Sequence, residues 1–211
     1  KLTENASRDV SIAFANELSI ISDKLDINVW ELIELANHHP RVNILQPGAG
    51  VGGHCIAVDP WFIVNQNPEE AKIIRAARGI NDNKPNWVIE KINVEINRLK
   101  SECVEKPTVA LLGLAFKPDI DDLRESPAVN IAKKMLENQS ANILLVEPNI
   151  DKLPKALESG KLSSLDDAMQ IADVVAILVA HNEFKKEPLK NSVAVIDAVG
   201  TFEVIPFEKR C

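Results

Sequence analysis

The stretch Thr108-Val109-Ala110-Leu111-Leu112-Gly113 is a short apolar run stopped by a glycine. A run this short and this continuously apolar predicts a strand covered on both faces. The same signature returns at Asn142–Val146, Val174–Val179 and Val193–Asp197. Helix signals lie between: Ser126-Pro127 opens one that reaches Asn138, and Asp166–Ala172 reads as another. Strands alternating with helices predict an α/β fold with a doubly wound parallel sheet. Such sheets bind ligands at the carboxyl ends of their strands. The loop from Gly113 to Ser126 therefore occupies a ligand-facing position, although it lacks a Gly-x-Gly-x-x-Gly fingerprint. Lys117 and Arg124 are its candidate anion contacts. Asp119, Asp121 and Asp122 read either as part of a solvated loop or as partners that hold those cations in place.

Toward the N-terminus the pattern changes at Lys106-Pro107, so residues 1–105 read as a helical region and residues 106–211 as the sheet domain. Val10, Phe14, Leu18, Ile21 and Leu25 recur at steps of three and four, one face of an amphipathic helix. Extended back, Lys1, Asn5 and Arg8 share another stripe, open to reading as a solvated face or as a site wall. Asn28, with Glu31 at the capping-box position, opens a second helix with Trp30 and Ile33 inward, ended by His38-His39-Pro40. Asn67-Pro68-Glu69-Glu70 reads as the capped start of a long helix through Ile73, Ala77, Val88, Ile92, Ile96 and Leu99. Pro85 is expected to kink or interrupt it. A helix of that length is expected to link the two halves and offer a face for dimerisation.

Between these helices runs Gly48-Ala49-Gly50-Val51-Gly52-Gly53-His54-Cys55-Ile56-Ala57-Val58-Asp59-Pro60. Four glycines in six residues let a backbone press against a neighbour or a ligand. Cys55 is a candidate nucleophile there, against the plainer reading of a tight turn with a buried thiol. Asp59-Pro60 reads as a helix start with aspartate at the N-cap, a place from which a carboxylate can still face a site. The net charge of −7 argues against a general nucleic-acid surface. Val174–Ala180 is too short an apolar run to span a membrane. Three cysteines without metal-ligand spacing favour free thiols in a reducing, cytoplasmic setting. The chain opens at Lys1, inside a predicted helix and without methionine, so a piece of a longer protein is expected.

Three separated motifs agree. Lys-Leu-Thr-Glu-Asn at 1–5, the glycine loop through Cys55 and Asp59, and Gly113–Asp119 with Asp122–Pro127 together resemble the nucleotide-sugar 6-dehydrogenases, the UDP-glucose/GDP-mannose dehydrogenase family. The run His39-Pro40-Arg41-Val42-Asn43-Ile44-Leu45, continuing to Cys55 and Trp61-Phe62, is most similar to bacterial members acting on UDP-N-acetyl-D-mannosamine. The resemblance implies three parts: an NAD-binding Rossmann domain, a central helical dimerisation region, and a Rossmann-like domain that binds the nucleotide sugar. This chain corresponds to the last two, so the NAD domain and a catalytic glutamate are expected outside it.

By the same resemblance, Cys55 is the nucleophile, Lys1 the catalytic lysine, Asn5 its polar partner, and Asp59 the carboxylate that positions water. Arg8, His39, Arg41 and Gly52 match substrate contacts, with His39 and Arg41 reaching across a homodimer. Phe116 and Lys117 match the uridine-diphosphate side, and Arg124 matches a cofactor contact. Val199 stands where the family often carries a basic residue. The implied reaction oxidises the C6 alcohol of a UDP-sugar to a carboxylate with two NAD, through a thiohemiacetal and a thioester on Cys55, and serves surface polysaccharide synthesis. UDP-N-acetylglucosamine and UDP-glucose are the other candidate substrates. A rival reading makes the chain only a dimerising, UDP-sugar-binding module. A metal site from His38, His39, His54 and Cys55 lacks ligand spacing. A Cys-His hydrolase lacks a supporting histidine motif, His181 being read as a polar residue at a strand end. Cys103 and Cys211 are read as incidental.

Overall fold

The computed structural model describes residues 1–186 and 193–201, so Cys211 lies outside the described residues. Its first half is helical: α1 (Leu2–Lys24), α2 (Val29–Asn37), α3 (Asp59–Gln66) and α4 (Lys72–Ser101). Its second half adds β1 (Thr108–Leu112), α5 (Pro127–Asn138), β2 (Asn142–Val146), β3 (Lys161–Leu162), α6 (Leu165–Ile171), β4 (Val174–Ile177) and β5 (Ala194–Asp197). The five strands form one parallel sheet in the order β3-β2-β1-β4-β5. Chain order and spatial order diverge after β1, which sits between β2 and β4. That divergence is the topological switch point of a doubly wound sheet.

Beyond their first residues, the side chains of β1 and β2, and all those of β4, are buried on one face or the other. Val109, Leu111, Ile143, Leu145, Val174 and Ala176 face one layer, where Val88, Ile92 and Ile96 of α4 meet Ile131 and Met135 of α5. Ala110, Leu112, Leu144, Val146, Val175 and Ile177 face the other, covered by Leu165, Ala168 and Met169 of α6 with Phe184. Burial on both faces explains why these strands read as continuous apolar runs. The two-residue β3 carried no such pattern and was not legible in the sequence.

α4 joins the halves. At 1.5 Å per residue it is about 45 Å long. Its first half buries Ala77, Arg78, Asn81 and Lys84 against the helical half, and its second buries Val88, Ile92 and Ile96 under the sheet. It runs through Pro85 without the expected interruption. A proline inside a helix costs about 3 kcal/mol; here buried Lys84 and Val88 flank it and anchor both sides. Asn67–Glu70 does not cap this helix: those residues form a turn, and α4 begins at Lys72 after Ala71 with no side-chain cap. Asn28 does cap α2, accepting the N–H groups of Trp30 and Glu31. Ile33 is buried, and Trp30 rests on Gly200 beyond β5, tying α2 to the sheet domain.

The apolar stripe read on α1 does not line the core. Phe14, Ile21 and Leu25 are 51%, 47% and 61% exposed. The buried face is Ala6, Asp9, Ala13, Asn16, Ser19 and Ser22. Small side chains let α1 lie close along α4, and the polar ones find partners there. Asp9 accepts from Arg78 at 2.6 Å and from Asn81 at 2.7 Å, and Asn16 donates to Asn81 at 2.9 Å. Lys84 bonds to Ser19, and its ammonium lies 3.8 Å from the Trp87 ring centroid. Burial pushes the Asp9 carboxyl above its ordinary range despite Arg78, and pushes the Lys84 ammonium down to about 7.

Candidate functional site

The glycine loop is fixed from both sides. Asn16, fully buried on α1, accepts the Gly48 N–H at 2.9 Å while its own amide donates to Asn81 of α4. On the opposite side the loop lies against the sheet domain. A Cβ on Gly52 would fall 2.7 Å from the Glu125 carbonyl oxygen and from Pro127 Cδ, and 3.0 Å from Phe116 Cβ. Two of those contacts are closer than any real Cβ tolerates, and the Glu125 oxygen is backbone, so only glycine admits this approach. Gly52 is thus the point where the Cys55 loop and the loop after β1 touch.

Cys55 follows in a half-buried turn. Its carbonyl accepts the N–H groups of Val58 at 3.1 Å and Asp59 at 2.8 Å, so α3 starts directly from the cysteine. Asp59 is the first residue of α3 and Pro60 the second, with Val58 at the N-cap and no side-chain cap. The expected capping role is therefore corrected: one residue further into the helix, the carboxylate turns toward α1 instead. Its Oδ2 accepts from Asn5 Nδ2 at 2.6 Å and lies 3.4 Å from Lys1 Nζ. The Asn5 amide, with Lys1 beside it, holds the Asp59 carboxyl below the usual carboxylate range. One oxygen thus joins the starts of α1 and α3, four residues along from Cys55.

Beyond the seam, Phe116 lies over Gly53 and donates its N–H to the Asp122 carbonyl at 3.0 Å. Lys117 is exposed, its ammonium 5.8 Å from the Phe116 ring centroid. Arg124 clasps Asp122: its Nε and a terminal nitrogen reach the two carboxylate oxygens at 2.9 and 2.6 Å. Those hydrogen bonds hold the Asp122 carboxyl at about 2, with a further contribution from nearby His54. Of the acidic residues in this loop, Asp122 is thus the one that braces Arg124, while Asp119 is bonded to Asn182.

Arg8, His39 and Arg41 are exposed. His39 accepts the Arg41 N–H through Nδ1, and among the described residues no hydrogen bond or ion pair joins these three to the Cys55 loop. Cys103 is exposed just beyond the end of α4. A cavity of about 680 Å³ opens along α3, lined by Val58, Trp61, Phe62 and Arg75. Its wall is mostly apolar and its arginine is bound to the Pro68 carbonyl, so the reactive side chains belong to the seam. Sequence reasoning missed Asn16, whose signal was the stripe Ala6, Asp9, Ala13, Asn16 at steps of three and four. It also missed Glu147, and read His181 as a polar strand end although it is fully buried. Among the described residues, no helix is long and apolar enough to cross a membrane.

Residues 1–83 match the UDP-glucose/GDP-mannose dehydrogenase family central domain, and residues 110–203 match that family's UDP binding domain. A UDP-N-acetyl-D-mannosamine dehydrogenase of Campylobacter jejuni is 64% identical over 187 residues, 87% of this chain and 45% of that protein. An NDP-N-acetyl-D-galactosaminuronic acid dehydrogenase of Ralstonia solanacearum is 55% identical over 186 residues, 88% of this chain and 43% of that protein. The solved UDP-D-ManNAc dehydrogenase of Pyrococcus horikoshii superposes with a TM-score of 0.84 at 33% identity, covering 99% of this chain and 49% of that one. The chain thus spans somewhat under half the length of the curated relatives it matches.

Proposed function

We infer the function from one premise: this chain belongs to the UDP-glucose/GDP-mannose dehydrogenase family. The whole protein oxidises the C6 alcohol of UDP-N-acetyl-D-mannosamine to the carboxylate, a product for bacterial surface polysaccharide. Residues 1–105 supply the nucleophile loop and the dimer face, and residues 106–211 hold the nucleotide. The observation that carries this reading is the seam itself. Asp59, Asn5 and Lys1 converge from two helix starts, the backbone of Cys55 opens the helix that carries Asp59, and Gly52 presses the loop onto Phe116.

Oxidising an alcohol to a carboxylate with one water releases two hydrides and three protons. NAD is the acceptor in the family reading, but the described residues do not form a dinucleotide cradle. The loop after β1 has no Gly-x-Gly-x-x-Gly, and Glu147 at the end of β2, where a ribose-binding acid stands in dinucleotide folds, is buried and bonded to Leu114, Ala115 and His181. Arg124 is the one residue assigned toward NAD, and it is exposed at the rim. The two hydrides go to an acceptor held elsewhere in the protein, while this chain handles the carbon, the oxygen and the water.

Once C6 is an aldehyde, Cys55 Sγ forms a bond to that carbon as the thiolate, the reactive form of a cysteine. The carbonyl π electrons move to oxygen, whose charge the Lys1 ammonium meets. Loss of the second hydride leaves a thioester. Asp59, ionised and aimed by Asn5, orients a water on the thioester carbon; the C–S bond breaks, the thiolate returns, and the carboxylate leaves. Arg8, His39, Arg41, Phe116 and Lys117 bind the nucleotide sugar. Arg41 and His39 do so from a partner subunit, since among the described residues no hydrogen bond or ion pair joins them to the Cys55 loop of their own chain.

A second reading has a specific observation behind it. With no dinucleotide cradle among the described residues, and spanning under half its relatives' length, this chain by itself binds the UDP-sugar and does not turn it over. The test is NADH formation by the whole protein and by this chain with UDP-N-acetylmannosamine, UDP-N-acetylglucosamine and UDP-glucose. The account expects turnover by the whole protein, fastest with the first sugar, binding without turnover by this chain, and at least a hundredfold loss in Cys55→Ser. Near wild-type uronate formation by Cys55→Ser would overturn the nucleophile assignment.

A further inference from the structure

Glu147 and His181 take no part in the chemistry above, yet they are among the most completely bonded side chains of the sheet domain. Glu147 leaves the carboxyl end of β2 and is 4% exposed; His181 follows β4 and is fully buried. Glu147 Oε2 accepts the N–H groups of Leu114 at 2.7 Å and Ala115 at 2.9 Å, and faces His181 Nε2 at 3.0 Å. Its Oε1 accepts from the Asn149 N–H and side-chain amide, each at 3.1 Å. Burial alone would raise this carboxyl; the bonds from His181, Leu114 and Ala115 more than offset it and hold it below its ordinary range.

The other imidazole nitrogen reaches the same loop further along. Nδ1 accepts the Asp119 N–H at 2.9 Å, which assigns the ring proton to Nε2, donating to Glu147. Phe184 meets the ring edge-on at 5.2 Å and fixes its plane. Asp119 has φ +60°, the left-handed conformation that aspartate adopts more readily than most side chains, and both its carboxylate oxygens are bound by Asn182, through the N–H at 3.0 Å and the amide at 2.6 Å. The loop is therefore held at residues 114–115 by the acid and at 119 by the imidazole, and the pair links the ends of β1, β2 and β4. The span between the two holds is Phe116, Lys117 and Pro118, where the Phe116 N–H is bonded to the Asp122 carbonyl at 3.0 Å.

We propose that the Glu147–His181 pair is a two-point clamp that presets Phe116 and Lys117 to receive the uridine diphosphate, making both members positioning residues. This rests on the reading of the sheet domain as the nucleotide site. A preset loop spends no ordering entropy on binding, so loosening the clamp weakens affinity without altering any group that touches the ligand.

Two measurements test it, with UDP as the probe. In the first, UDP is titrated calorimetrically into the whole protein and into His181→Gln, His181→Asn and Glu147→Gln, each checked by thermal midpoint. Gln at 181 can keep the bond to Glu147 but loses the acceptor for Asp119; Asn keeps an acceptor near the Nδ1 position. The clamp predicts about tenfold or more weaker UDP binding for Glu147→Gln and His181→Gln, with partial recovery in His181→Asn. UDP affinities within twofold of wild type in all three would overturn the clamp while leaving the nucleotide reading intact. No UDP binding by the wild-type protein would overturn the nucleotide reading, and the clamp with it. The second measurement needs no variant: amide exchange of Leu114, Ala115 and Asp119 in the UDP-free protein. Slow exchange there supports a preset loop, and fast exchange that slows only on adding UDP contradicts it.

Discussion

A carboxylate one residue inside a helix does different work from one at its cap. At the N-cap, Asp59 would spend its oxygens on the amides of its own first turn. As the first helical residue it is free to bind Asn5 and Lys1, and its folded pKa lies below 3.8. Its stabilising contribution is therefore present above 3.8 and is lost as the pH falls through the folded value. It stays ionised wherever the enzyme would work. Lys84 has the opposite sign. Burial lowers its folded pKa from 10.5 to about 7, so the cost of burying its charge is full below 7 and fades as the pH rises toward 10.5. Lys84→Met is expected to raise stability by on the order of 1 kcal/mol at pH 6.5. It should also flatten the rise of wild-type stability between pH 7 and 10, as read by chemical denaturation across that range. A variant less stable than wild type at pH 6.5 would show that the Ser19 bond and the Trp87 contact outweigh the burial cost. At this scale the sequence was legible where a residue type fits one place only: Asn28 was read as a cap and caps. Asp-Pro reads the same at two adjacent helix positions, and only coordinates separate them.

Among the elements, α1 is the instructive case. Its periodicity announced a helix correctly, but a 3.6-residue repeat cannot say which face meets this chain and which meets something else. The covered face is small and polar because it lies close along α4. The apolar face carrying Phe14, Ile21 and Leu25 is left outside, with Ile27 and Leu35 also exposed nearby in sequence. We propose that a second copy covers it, the arrangement that also lets His39 and Arg41 act from a partner subunit. Phe14→Glu with Ile21→Glu is expected to shift the protein from dimer to monomer in sedimentation analysis while leaving the circular dichroism spectrum unchanged. An unaltered dimer would place the interface elsewhere. The central strands β1, β2 and β4 were the most legible elements, because burial on both faces leaves their interiors apolar. Pro85 does not interrupt α4, since packing on each side of it carries the helix through.

For the molecule as a whole, function is a matter of where two halves meet. The helical half brings a carboxylate, an amide and an ammonium together at the helix that starts from Cys55; the parallel sheet brings a braced loop; α4 runs beneath both and Gly52 closes the gap. Three motifs far apart in the chain pointed to the candidate site residues one by one. Their convergence was not legible, because it depends on the Asn16 bond to Gly48 and on a close approach that no local pattern encodes. The central claim is that Cys55 carries the sugar carbon during turnover. The most direct measurement is mass spectrometry of the whole protein quenched during reaction with NAD and UDP-N-acetylmannosamine, using Asp59→Asn to slow thioester hydrolysis. The account predicts a covalent sugar-nucleotide adduct on the peptide containing Cys55, more abundant in Asp59→Asn than in wild type. Continued oxidation to the carboxylate with Cys55 unmodified at every time point would contradict it.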